Sequence, residues 1–280
     1  MSLNIDLEYI FSVPLKVNLS DDMTIQQQFA QNCVSTLRKD ESVIGLAVAG
    51  SWLTNEMDEF SDLDLVLVTK QKISHDKSLM ISYAQKLGNF LSGFTGEHVG
   101  EPRVLICLYD SPLLHVDIKF LTIEEFAHRI ENPVVLLDTD RQLQKIIEQT
   151  TYQFPYPDYQ WLEDRFWIWV HYALLKIGRG EYTEAFDFMG FVRMVVLGPL
   201  LHIKNGNLPR GVRKVETQLL AEDFVALRNT IPEYNRKSLL GSLANAVELY
   251  RSLRAELYTD TVNLQISTET KVMEYFEKIR

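Results

Sequence analysis

Cysteine is scarce, with Cys33 and Cys107 the only two in 280 residues. They lie far apart, each in an apolar-patterned segment and without metal-ligand spacing. Nothing in that pattern calls for a disulfide framework, and a reducing compartment follows. Basic charge is also short: 28 Lys and Arg face 38 Asp and Glu, for a net charge of −10. A general basic surface that neutralises phosphates is thereby excluded, so nucleic acid is not an expected partner, although a local basic pocket remains open. We see no window with the ~18 consecutive apolar residues of a membrane span. "MSLNIDLEYIF" lacks the basic start and apolar middle of a secretory signal. The expectation is a soluble, cytoplasmic protein with no membrane partner.

The composition that remains, 46% hydrophobic and 24% charged, is that of a globular chain with a sizeable core. The first half mixes two periods. "DDMTIQQQFAQNCVSTLRK" spaces Ile25, Phe29, Cys33 and Leu37 as an amphipathic helix behind Asp22 or Thr24 as N-cap. "SVIGLAVA" and "LDLVLV" read as short buried strands, and "ISHDKSLMISYAQKLGNFL" as a helix. "SGFTGEHVGEP" reads as a glycine-rich loop, followed by "RVLICLY" and "LHVDIKFL" as an antiparallel hairpin. "TYQFPYPDYQ" then marks a boundary, and the rest is helical in pattern with short connections. The expected architecture is α+β: a mixed-sheet domain over residues 1–150 with flanking helices, then an all-α bundle over 151–280.

The stretch "AVAGSWLTNEMDEFSDLDLVLV" carries the chemistry. Alternation along a strand puts Asp62 and Asp64 on one face and Leu63, Leu65 and Leu67 on the other. Two carboxylates so close repel unless a cation lies between them, and hard oxygen pairs suit Mg²⁺ that also takes substrate phosphates. Gly50 lets backbone approach a phosphate, and Ser51 with free amides at a helix start can hold its oxygens. In "LLHVDIKFL", His115, Asp117 and Lys119 share one face and Val116, Ile118 and Phe120 the other. Asp117 becomes a third converging acid if the two strands are neighbours.

Gly-Ser, ten residues, Asp-x-Asp and a later strand Asp together resemble the DNA polymerase β-type nucleotidyltransferase superfamily. With an all-helical second half, the chain is most similar to its small-molecule branch, the aminoglycoside and lincosamide nucleotidyltransferases. The motif resemblance covers Val43 to Leu121; the loop "WLTNEMDEF" departs from it by lacking a glycine and carrying Glu56, Asp58 and Glu59. The resemblance implies that Gly50 and Ser51 hold the nucleoside triphosphate and that Asp62, Asp64 and Asp117 bind Mg²⁺. It also implies that Asp117 helps deprotonate the acceptor, with AMP passing from ATP to a hydroxyl of a small molecule such as an aminoglycoside-like compound. Partners are then the nucleotide, the hydroxylated acceptor and, as an open possibility, a second copy in a homodimer.

On the helical half, the same branch sometimes draws its general base from a helical carboxylate, which makes Asp164, Glu163, Glu184 and Asp187 candidates, Asp164 first. Each of these, like Lys176, Arg179 and the cluster Arg210, Arg213 and Lys214, is equally a solvated helix face or a helix cap. The aromatic group Trp161, Phe166, Trp167 and Trp169 reads as bundle core, whereas Trp52 beside the phosphate turn could cover a base. The rival reading is an inactive nucleotide-binding or regulatory module, toxin–antitoxin related, in which Arg165 and His171 show the R-x5-H spacing of HEPN ribonucleases.

Overall fold

A computed structural model describes residues 23–54 and 56–280. Asp22 and the opening segment lie outside the described residues. The chain divides into two compact units, one ending at Gln153 and one running Phe154–Arg280.

The first unit is a six-stranded mixed sheet. Helix α1 (Ile25–Leu37) starts at Thr24, whose side chain accepts from the Gln27 amide while Gln27 reaches back, a capping box. Strands β1 (Val43–Val48), β2 (Leu63–Thr69), β3 (Phe90–Gly96), β4 (Glu101–Tyr109), β5 (Leu114–Leu121) and β6 (Val134–Asp138) lie in the order β3-β4-β5-β2-β1-β6. β2 and β5 run parallel; the other pairs are antiparallel. The sheet is covered on both faces, which explains why β1 is buried at every position. Leu63, Leu65, Leu67, Val116, Ile118 and Phe120 pack under α1 and α2 (Lys77–Leu87). Val68 and Leu121 face the other way, with Phe126 of α3 (Ile123–Phe126) and Leu143 of α4 (Gln142–Gln149).

Two sequence expectations change here. "SGFTGEHVGEP" is not a loop: its first part is β3, an edge strand, with a short 3₁₀ turn over Glu97–Val99. Half-exposed and glycine-bearing, it lacks apolar alternation and is a strand because β4 pairs with it. β6 and α4, for which the sequence reading drew no element, close the other edge; the Asp138 carboxylate accepts from the Leu143 and Gln144 amides at the start of α4.

The second unit is helical: α5 (Tyr159–Arg179), α6 (Tyr182–Val192), a π segment Arg193–Leu197, α7 (Gly198–Lys204), α8 (Val215–Gln218), α9 (Ala221–Arg228), α10 (Arg236–Leu257) and α11 (Ile266–Ile279). Asp158 caps α5 through the Gln160 and Trp161 amides, and Gly180 ends it in the left-handed conformation. Ahead of Gly198-Pro199 the helix widens into the π segment, just before the proline that cannot donate to the preceding turn. The resulting run Tyr182–Lys204 is long and apolar enough to cross a membrane by length and composition, which corrects the expectation that no window reaches that length. Half of the window is buried inside the protein, and Met189, Val196, Leu197 and Leu201 supply bundle core. The stretch "ETQLLAEDFVALRN" is broken into two short helices, α8 and α9, by an extended Leu219.

The aromatic group also divides. Phe166 and Trp167 are fully buried, as expected of core, but Trp161 is exposed and Trp169 only partly covered.

Candidate active site

One end of the central strands gathers the residues singled out above. Val48 ends β1 opposite Leu65 of β2 and Val134 of β6, so the turn after β1, the start of β2 and the start of β6 are neighbours. Asp64 stands opposite Asp117 in the parallel β2–β5 register, which makes the two strands the neighbours that convergence requires. Asp62 and Asp64 are half-buried and alternate with the buried Leu63 and Leu65.

Gly50 opens a 3₁₀ turn, Gly50–Trp52, with φ +62°, a backbone conformation that side chains rarely adopt. A Cβ built there would lie 1.9 Å from Asp64 Oδ2. The glycine is therefore the space in which the carboxylate sits, and the Ala49 N–H donates to the Asp64 carbonyl at 3.0 Å, locking turn and strand together. The Gly50 N–H donates to Glu131 Oε1 at 3.0 Å. An acid the sequence reading did not single out thus occupies the amide expected to hold a phosphate. Its loop is braced by buried Arg129, which donates to Asn132 Oδ1 and to the oxygens of Thr150.

The acidic loop is anchored from below. Gln26 of α1, 1% exposed, donates its amide to the carbonyls of Asp58 (3.0 Å) and Ser61 (2.8 Å). A glutamine inside an amphipathic helix gives little sequence signal for that role. The Trp52 ring, which could cover a base, is partly buried against the sheet core.

Asp117 Oδ1 lies 3.0 Å from His115 Nε2 on the same strand face. Burial, with the Asp117 charge second, pushes the neighbouring Cys107 thiol up to about 12, so it is an inert core thiol. Two strand positions beyond Asp117, Lys119 reaches Glu101 at 2.8 Å; Arg103 binds the same carboxylate with two 2.7 Å hydrogen bonds. Burial works to raise the Glu101 pKa, yet the two cations hold it at about 2.

The donor set suits a hard cation: carboxylate oxygens on one face, beside a cradle that a single methyl group would fill. Among the described residues no three His, Cys, Asp or Glu side chains close into a ready cage. Mg²⁺ that retains waters and takes substrate phosphates does not need one.

The helical candidates have other partners. Asp164 Oδ1 accepts from Gln160 Nε2 (2.8 Å) and Gln265 Nε2 (2.9 Å), and these bonds hold its pKa below the ordinary carboxylate value. Glu163 is fully buried, accepting from Tyr250, Trp167, Arg254 and the Gln265 amide. Glu184 meets the Tyr172 hydroxyl and, at 3.0 Å, Lys176. Asp187 is exposed. Arg179 lies 3.7 Å from Glu181, Arg210 is over the Phe154 ring, and the Arg213 carbonyl meets His202. Arg165 stacks on Trp161 while His171 packs against Tyr275, so each member of the R-x5-H pair is engaged separately.

Comparison with known proteins adds a second line of observation. The chain is similar to a solved aminoglycoside 6-adenyltransferase from Bacillus subtilis at 16% identity, with 92% of this chain and 99% of that one covered and a TM-score of 0.38. A nucleotidyltransferase-like protein from Exiguobacterium sibiricum aligns at 11% identity over 90% of this chain and 80% of that one, TM-score 0.34. Among curated proteins, none matches. The model of the streptomycin adenylyltransferase family matches residues 23–279, across both units. On that match the chain belongs to the streptomycin adenylyltransferase family and is a small-molecule adenylyltransferase.

Proposed function

We propose that the protein transfers AMP from ATP to a hydroxyl of an aminoglycoside-like acceptor, with Mg²⁺ held by Asp62, Asp64 and Asp117. The observation that carries this reading is the interlock of Gly50 with Asp64, which stands in register with Asp117. It sets the turn, whose Gly50 amide donates to a carboxylate, beside two acids in register on neighbouring strands. When bound, Mg²⁺ neutralises phosphate charge and stabilises the attacking and leaving oxygens.

The chain's own residues do the rest. The Gly50 amide and the Ser51 hydroxyl hold phosphate oxygens once the Glu131 carboxylate gives up its hydrogen bond. The acceptor oxygen attacks the α-phosphorus in line, the bond to the bridging oxygen breaks, and pyrophosphate leaves. Asp117 takes the hydroxyl proton and His115, 3.0 Å away, can relay it. Asp164, with its pKa lowered and two amides to displace, is a poorer proton acceptor and serves in this scheme as a clasp between α5 and the segment before α11. The helical unit supplies the acceptor contacts.

Calorimetry with a non-hydrolysable ATP analogue, with and without Mg²⁺, is the direct test, followed by a pyrophosphate-release screen of hydroxylated antibiotics. Mg²⁺-dependent binding that disappears in Asp62→Asn and Asp64→Asn is expected. Binding indifferent to both changes would overturn the proposal.

A further inference from the structure

The Gly50 N–H is met by a side chain where the sheet would offer a carbonyl. At the end of β1 the Ala49 N–H donates to the Asp64 carbonyl on the β2 side. On the other side β6 begins only at Val134, opposite Val48, and Pro133 before it has no N–H with which to extend the ladder. Glu131 Oε1 fills that place, 3.0 Å from the Gly50 nitrogen. Two carboxylates thus flank one glycine, because Asp64 Oδ2 lies 1.9 Å from the point that a Cβ would occupy.

Satisfying that amide takes only an oxygen, and Asn, Gln or Ser would supply one without charge. An acid across the glycine from Asp64 adds like-charge repulsion instead. The fold nevertheless holds it there from both ends. Ahead of it, buried Arg129 donates to Thr150 Oγ1 (2.6 Å), to the Thr150 carbonyl (2.7 Å) and to Asn132 Oδ1 (2.7 Å), and the Arg129 carbonyl accepts from the Gln153 N–H at 3.0 Å. Behind it, Val134 is paired with Val48. The backbone that carries Glu131 is therefore fixed, and only the side chain has to turn for the amide to be freed. A carboxylate tethered in this way stays at high local concentration beside the donor it leaves.

We propose that Glu131 is a built-in competitor for the phosphate position at the Gly50 amide, so that the turn retains a polyphosphate only when a divalent cation offsets its charge. A bare polyphosphate meets an occupied amide and the acids around it. With its charge offset, the Glu131 side chain turns away and the amide donates to a phosphate oxygen. Once pyrophosphate has formed, the same carboxylate is in reach to close on the amide behind it. The proposal rests on the transfer reading for the phosphate at this turn, and adds the residue that keeps uncomplexed phosphate out.

The test is calorimetry of the full chain with inorganic tripolyphosphate, in Mg²⁺ and after removal of divalent ions. Without Mg²⁺, Glu131→Gln should bind about tenfold more tightly than the unaltered chain, and Glu131→Ala at least as tightly as Glu131→Gln; with Mg²⁺ the gain should shrink to about threefold. Glu59→Gln takes the same charge from the exposed acidic loop without touching the Gly50 amide, and should gain less than about twofold. Circular dichroism should be unchanged in all three variants. No gain in either Glu131 variant, a gain as large in Glu59→Gln, or a gain undiminished by Mg²⁺ would each overturn the proposal. An unaltered chain that binds no tripolyphosphate even in Mg²⁺ would overturn the transfer reading and this proposal together, whereas binding there without a gain in the Glu131 variants would overturn the competitor alone.

Discussion

Replacing Gly50 by alanine would put a Cβ 1.9 Å from Asp64 Oδ2 and 3.0 Å from its Cγ, more than 1 Å inside the 3.0 Å that Cβ atoms keep from other heavy atoms. Two costs separate. The first is backbone: holding φ at +62° with a side chain costs roughly 1–2 kcal/mol, read as lost stability. The second is geometric, because the carboxylate must swing away from the position its register with Asp117 supplies. A displacement of about 1 Å at a reacting site can lower kcat/KM about 100-fold, or roughly 2.7 kcal/mol of transition-state stabilisation. Gly100 provides the control: its φ is +79° and a Cβ there would meet nothing within 4 Å. Gly100→Ala should lose comparable stability and keep its activity, whereas Gly50→Ala should lose both activity and Mg²⁺-dependent nucleotide binding while still folding. The assay is pyrophosphate release alongside chemical denaturation of both variants. Equal activity in the two would refute the view that Gly50 makes room for Asp64.

Other outcomes follow from neighbouring contacts. Glu131→Gln keeps an oxygen for the Gly50 amide but removes the charge that opposes a triphosphate, so calorimetry should show a several-fold gain in nucleotide affinity; a loss would mean that Glu131 supports the bound state. Glu163→Ala strips a fully buried carboxylate from Arg254, Tyr250 and Trp167 and should cost about 3–5 kcal/mol in denaturant unfolding of the helical unit; a loss under about 1 kcal/mol would count against the network as a structural pin. Glu101 is held at about 2 against an ordinary 4.5, so its stabilising contribution is full above pH 4.5 and is lost as pH falls through about 2. Carboxylate titration by NMR should find Glu101 ionised well below pH 4, and Lys119→Ala should raise its midpoint.

Local patterning made much of both units legible. Thr24 and Asp158 announce helix starts because cap chemistry is short-range, and the alternation of "DLDLVLV" assigns faces because strand geometry has period two. The strands Leu63–Thr69 and Leu114–Leu121 could be read as bearing acids on one face, but their adjacency could not, since register is set by pairing between distant segments. β3 stayed hidden for the same reason: its glycines suggest a loop until β4 supplies the hydrogen bonds. Glu131 and Gln26 carry no motif at all. Each acts on a segment at least 32 residues away, so each is visible only when the chain is folded.

The sequence by itself determined the class of most elements, several caps, the carboxylates on one strand face and, through Gly-Ser and Asp-x-Asp, the family resemblance. All of these depend on interactions within a few residues or on a spacing that survives in one dimension. Tertiary structure alone decided that Asp64 stands in register with Asp117, that Glu131 sits on the Gly50 amide, and that Trp169 lines a cleft while Trp167 fills a core. Those outcomes turn on which faces are left over once the apolar surfaces of the helices and the sheet have packed, and no local pattern encodes that choice.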